Sequence, residues 1–182
     1  MLDTLLSRRS VRKFTHKAPS DFEIELMLQA ASQVPDHGNL MPYRFVVITR
    51  HQNRKRFQEL LEQSAGDDSA LQQKAKRLAE MSPLVIVVVS KPVLQGEVVK
   101  PKWEQELTAG LAAFSVQLAA KAQGYDSIWL SPRWAIEGSL MRESLGCGND
   151  DRIIALLMIG EAETAVSGAK NTDVSALTLS FQ

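Results

Sequence analysis

The 182 residues include a single cysteine, Cys147. No disulfide can form within the chain, and a reducing cytoplasm is the expected compartment. No surplus of charge is present either, since 21 Lys+Arg stand against 21 Asp+Glu. Binding to polyanions or anionic membranes needs a positive excess, so neither nucleic acid nor a membrane is an expected partner. Long apolar runs are missing as well. The longest uncharged stretch in a helical segment, Leu107 to Ala120, is shorter than the ~18 residues of a membrane span and contains Thr108, Ser115 and Gln117. At the start, Met1 to Arg9, apolar residues precede the basic ones, so no secretory signal is expected.

Several chemical motifs are also absent. There is no G-x-G-x-x-G or G-x-x-x-x-G-K-[ST] pattern, which removes the main support for the common dinucleotide and P-loop sites. The histidines, His16, His37 and His51, have no metal-ligand spacing, and one cysteine cannot complete a zinc site. No G-x-S-x-G marks a nucleophile elbow. Cys147 lies between glycines with no basic neighbour until Arg152, and reads as a small apolar filler rather than a nucleophile.

What remains is ordinary globular composition, 45% hydrophobic and 23% charged. A chain of this length is expected to make one domain, 1–182, burying about 70% of its unfolded surface. A short helix is predicted over Leu2–Arg8. Ser20 with Glu23 makes a capping box for a helix whose apolar stripe is Phe22, Leu26 and Ala30, with Met27, Ala31 and Val34 one position along. Strands are predicted at Tyr43–Thr49, Leu84–Val89, Ile128–Leu130 and Ile153–Ile159. Helices are predicted at Gln52–Gln63, Ala70–Met81, Trp103–Gln123 and Ile136–Leu145. The continuous Val/Ile run of Leu84–Val89 suits a strand buried on both faces. Ala176 to Phe181 alternates like an edge strand. The helix after Trp103 is apolar nearly all round and rich in alanine, which predicts a buried element central to the fold, to a subunit interface, or to both.

Four segments could carry chemistry. Arg8-Arg9-Ser10-Val11-Arg12 places three cations and a hydroxyl at a helix end, a phosphate-binding set or a simple complement to the helix dipole. Pro35 to Arg44 is a stiffened loop dense in hydrogen-bonding groups, among them Asp36, His37 and Asn39; it could bind a ligand or serve as a self-bonded turn. Trp129-Leu130-Ser131-Pro132-Arg133-Trp134 offers two tryptophans around a serine and an arginine. That suits a flat aromatic ligand, or ordinary packing. Trp103-Glu104-Gln105-Glu106 opens the alanine-rich helix, where acidic residues also suit the dipole.

Taken in this order, with Pro101-Lys102 before the last segment, Ala119-Ala120-Lys121-Ala122-Gln123-Gly124 and Ile128-Trp129, these residues resemble the flavin-dependent nitroreductase superfamily. The match is to its short bacterial YdjA-like NAD(P)H nitroreductase branch, over nearly the whole chain. The resemblance implies an α+β fold with a central, mainly antiparallel sheet flanked by helices. It implies a homodimer whose C-terminal strand reaches the partner, with FMN at the interface. Arg8, Arg9 and Ser10 would hold the FMN phosphate, ribityl chain and ring edge. His37 would reach in from the partner subunit, and Trp129, Leu130 and Ser131 would line the flavin. Gln33 stands where that branch carries an arginine, with Arg12 or Arg133 as substitutes for the lost cation. Ala119, Ala120, Lys121, Ala122, Gln123 and Gly124 match a segment attributed to NAD(P)H binding.

The activity so implied is a ping-pong transfer of hydride from NADH or NADPH through FMN to a small acceptor such as a nitroaromatic or a quinone. It needs no side chain as catalytic acid or base. Two other outcomes stay open at this point: a flavin-binding or sensing protein of the same fold with little turnover, and an interaction module without flavin.

Overall fold

A computed structural model describes residues 2–50, 53–166 and 172–180. In chain order the elements are α1 (Leu2–Ser7), α2 (Asp21–Ala31), β1 (Tyr43–Thr49), α3 (Arg54–Ala65), α4 (Ser69–Glu80), β2 (Leu84–Ser90), α5 (Lys102–Ala122), β3 (Asp126–Leu130), α6 (Arg133–Ile136), α7 (Ser139–Ser144) and β4 (Arg152–Gly160). A 3-10 turn follows at Val174–Leu177. The α+β architecture with an antiparallel sheet matches the expectation. The strand order is β1-β2-β4-β3, and each of these pairings is antiparallel.

The sheet separates two cores, which explains why β2 and β4 are almost wholly apolar. On β2, Val85, Val87 and Val89 face a core built with Phe57, Leu61, Ala75 and Leu78 of α3 and α4. Leu84, Ile86 and Val88 face the other way, onto Met27 and Ala31 of α2 and Ala109, Ala112, Ala113 and Val116 of α5. All seven residues of β2 are buried. A strand covered on both sides favours apolar residues at every position, and only Ser90 at the end of β2 is polar.

Helix boundaries follow local chemistry. Ser20 caps α2: its hydroxyl accepts from the Glu23 N–H at 3.3 Å, and the Glu23 carboxylate accepts from the Ser20 N–H at 2.7 Å. Asp68 caps α4 by accepting from the Ala70 and Leu71 N–H groups. Helix α5 ends in a Schellman arrangement, with Tyr125 N–H donating to Ala120 O and Gly124 N–H to Lys121 O, around Gly124 at φ 86°.

Four expectations need correction. The helix predicted as Ile136–Leu145 is two short helices. Pro132 at the first N-cap starts the coil earlier, and Gly138 breaks it by capping α7. In α2 the buried side is Ile24, Met27 and Ala31, whereas Phe22, Leu26 and Ala30 face outward. Helix α5 is not buried all round: Trp103, Leu107, Leu111 and Phe114 are exposed on its outer side. In the single chain the tail makes no edge strand, because Val174–Leu177 is a 3-10 turn and Leu177 and Leu179 project outward. Phe181 and Gln52, within predicted elements, lie outside the described residues.

Candidate active site

The basic segment leaves α1 and runs along the edge of β3. Ser10 makes a parallel bridge with Ser127, and Val11 N–H donates to Ser127 O at 3.2 Å. Gln117 of α5 supports the same point by donating to the Ser127 hydroxyl at 3.0 Å. Arg8, Arg9 and Ser10 are thus fixed beside the strand carrying Trp129 and Leu130, which places two of the predicted segments together.

The charges of this segment are unmatched. Among the described residues, Arg8, Arg9 and Arg12 form no ion pair with a carboxylate. Arg9 Nη1 donates to Arg8 O at 2.6 Å, while Arg9 Nη2 is buried with no hydrogen-bond partner there. A buried guanidinium nitrogen without an acceptor is costly, and an anionic oxygen would satisfy it. The donor set therefore fits a phosphate group, the anionic part of FMN.

The second predicted group lies elsewhere in the chain. In the loop after α2, Asp36 accepts from Met41 N–H at 2.6 Å, and Gly38, Asn39 and Met41 all have positive φ. Gly38 is required there: its φ is +90°, and a Cβ would come within 3.0 Å of Val98 Cγ1. The His37 ring is exposed, and its Nδ1 lies 2.7 Å from Glu104 Oε2 in the first turn of α5. One turn on, the Thr108 hydroxyl lies 3.2 Å from Glu104 O and 3.4 Å from Pro35 O. Two segments noted separately in the sequence are thus one unit. Their link spans 67 positions, which is why no local pattern exposed it.

Within one chain the two groups stand apart. Glu104, which holds His37, and Gln117, which holds the strand beside Arg9, are thirteen positions apart on α5, or about 20 Å along its axis.

Other sequence-predicted positions fall as follows. Trp129 packs with the α2/α5 core and Trp134 with the α3/α4 core, on opposite faces of the sheet, so the two do not form one aromatic platform. Ser131 is exposed at the end of β3. Gln33 is exposed and donates to the Ser32 hydroxyl at 2.9 Å. Arg133 is committed to Glu137.

The Ala119–Gly124 segment is accounted for by helix termination. Ala120 is buried, Lys121 pairs with Asp126 at 2.8 Å, and Gln123 donates to Glu23 O and Ala119 O. Ala119 and Ala122 also line an open, mostly apolar cavity of about 430 Å³ with Leu5, Ala30 and Leu118. Burial pushes the Cys147 thiol pKa up, as suits an inert filler.

An antiparallel sheet between two helical layers thus carries, beside its edge strand β3, arginines without a carboxylate partner among the described residues, and a histidine loop braced on the long helix α5. The Nitroreductase family profile matches residues 5–161. A "Putative NAD(P)H nitroreductase" of Haemophilus influenzae is 40% identical over 165 residues, covering 87% of this chain and 86% of that protein. A "Putative NAD(P)H nitroreductase YdjA" of Escherichia coli is 36% identical over 173 residues, covering 93% and 92%. Among solved structures, a variant of NfnB from Sphigopyxis sp. strain HMH, titled an FMN- and NADPH-dependent nitroreductase, superposes with a TM-score of 0.74. It is 19% identical over 100% of this chain and 98% of its own. The chain belongs to the nitroreductase family.

Proposed function

We propose that this protein is a homodimeric, FMN-dependent oxidoreductase that takes hydride from NADH or NADPH and delivers it to a small acceptor, a nitroaromatic, quinone or similar molecule, by a ping-pong route. The observation that carries this is the buried Nη2 of Arg9 beside the edge strand, which has no hydrogen-bond partner among the described residues, within a cluster of cations that forms no ion pair there. The names of the relatives support the nicotinamide donor, and that of the structural neighbour supports FMN.

A second chain is needed because one chain holds its two groups about 20 Å apart along α5. On the outer apolar side of α5, Leu107 and Phe114 lie equidistant from the Gly110–Leu111 peptide, near the middle of the helix. Glu104 and Gln117 are mirrored about the same point. An antiparallel two-fold pairing of α5 with its copy would bury this stripe and bring His37 of the partner subunit to the level of Arg9. A Cβ on Gly110 would meet open space, which leaves room for a backbone to approach there. Exposed Leu2, Leu5 and Leu6 of α1 and Phe22 and Leu26 of α2 extend the apolar surface a partner would cover.

In this arrangement Arg8 and Arg9 bind and orient the phosphate, and Ser10 offers its hydroxyl toward the ribityl side. The end of β3, Trp129 to Ser131, would line the ring by its edge beside Ser10, since Trp129 and Leu130 point to opposite faces of the sheet, and the covered apolar face would exclude water. Bound FMN supplies the two-electron chemistry, which the protein supports by placement rather than by an acid or base of its own.

The test is an absorbance spectrum of the purified protein before and after anaerobic NADPH or NADH, with and without an acceptor. A yellow protein bleached by the nicotinamide and recoloured by the acceptor is expected. A colourless protein that takes up no added FMN overturns the proposal.

A further inference from the structure

The bond between His37 and Glu104 is the one polar contact the His37 ring makes among the described residues. We propose that Glu104 is a positioning residue, holding His37 so that one ring nitrogen is offered across the subunit interface to the flavin. This rests on the dimeric FMN reading above. A carboxylate accepts only, so the geometry assigns the hydrogen to Nδ1 and leaves Nε2 as the outward atom. Glu104 is itself fixed. It lies in the first turn of a 21-residue helix, its N–H donates to Pro101 O at 3.1 Å, and its side chain is 26% exposed against 62% for His37.

The loop carrying His37 is turned by the Asp36 carboxylate, which accepts from Met41 N–H at 2.6 Å, and it passes Thr108 at Pro35 and Val98 and Lys100 at Gly38. None of these is a hydrogen bond to the imidazole. Its orientation therefore depends on Glu104, and without that partner an exposed ring would sample other rotamers and the other tautomer. Holding a binding group through a second residue is how sites avoid ordering costs when the ligand arrives.

The experiment is a double-mutant cycle on FMN affinity, using the wild type, Glu104→Ala, His37→Ala and the double variant, with far-UV circular dichroism on each. Glu104→Ala is expected to raise the FMN Kd about three- to tenfold in the wild-type background and to change nothing further once His37 is alanine. Equal losses in both backgrounds, or no loss in either, overturn the proposal. A second readout needs no flavin. At about pH 8, long-range proton–nitrogen correlation should show His37 protonated at Nδ1 in the wild type and at Nε2 in Glu104→Ala. An Nε2–H form in the wild type overturns the proposal. A wild type that takes up no FMN overturns the flavin reading and this role with it, whereas FMN uptake without coupling overturns this role alone.

Discussion

Replacing Leu111 by aspartate should separate the two subunits without unfolding either. Leu111 lies near the middle of α5 on the outer stripe and is 43% exposed in the single chain. Fully burying a leucine is worth about 1.5–3 kcal/mol, so covering what remains exposed would contribute about 1 kcal/mol. A two-fold interface contains the residue twice, so Leu111→Asp gives up about 2 kcal/mol of burial. It also sets two carboxylates close to the axis, where partial desolvation costs at least ~2 kcal/mol for each. The sum is about 6 kcal/mol, a weakening of the dimer Kd by roughly ten-thousandfold. In the isolated chain the same side chain meets water, so the helical circular dichroism signal should persist. Sedimentation velocity at micromolar concentration should find a dimer for the wild type and a monomer for the variant. Flavin should be lost in parallel, because each site takes groups from both chains. A variant dimer of wild-type affinity would refute the pairing of α5, and a monomer that keeps its full flavin would refute the shared site.

Arg9→Ala removes the guanidinium whose Nη2 is buried without an acceptor. A charge-assisted fork to phosphate is worth about 1.5–3 kcal/mol, so FMN binding should weaken roughly ten- to hundredfold with the fold intact. Full flavin absorbance after dialysis would contradict that role. Gly160→Ala would set a Cβ 2.6 Å from Pro83 Cδ and 2.8 Å from its Cγ, against a ring that has little room to turn. Overpacking of this kind costs about 1–3 kcal/mol, so the thermal midpoint should fall by about 2–10 °C, and an unchanged melt would show that the sheet end yields. The Glu23 carboxyl is held below the usual carboxylate range, first by the Ser20 N–H, then by the Ser20 hydroxyl, with the Tyr125 hydroxyl adding to them. A lowered folded pKa gives stability that is fully present above ~4.3 and lost as pH falls through the folded value. Glu23→Gln should therefore cost about 0.5–1 kcal/mol near neutrality, on the scale of an exposed cap, and progressively less as the pH falls through the folded carboxyl's lowered pKa. Urea midpoints that differ equally at neutral and acid pH would contradict the assignment.

The elements most legible in the sequence are those whose environment is set by their own chain. Leu84 to Ser90 reads as a two-sided buried strand because no polar residue interrupts it before Ser90, and its two faces do meet two cores. Ser20 and Glu23 announce the start of α2 because a capping box is satisfied within four residues. Arg9 and His37 stand out locally as candidate binding groups, each with a bland alternative, and their proposed roles come from the resemblance rather than from their local company. The pairing of His37 with Glu104 is not legible in the sequence, since it depends on how a loop packs against a helix 67 positions away. The acidic first turn of α5 has a sufficient local explanation in the helix dipole, and that explanation hides the contact of Glu104 with His37.

The misread helix faces share a cause. In α2 the apolar stripe read from the sequence divides: Met27 and Ala31 enter the core with Ile24, whereas Phe22, Leu26 and Ala30 face outward. In α5 the all-round apolar character was expected to mean burial on every side, and one side lies open. Apolar periodicity records which surfaces are removed from water in the working assembly, not which are removed within one chain. A helix serving both a core and an interface carries two stripes, and spacing alone does not rank them. What distinguishes them in α5 is residue size. The inner stripe is mostly alanine, which lets the sheet lie close, and the outer one is Trp103, Leu107, Leu111 and Phe114, large groups suited to filling space against a facing surface.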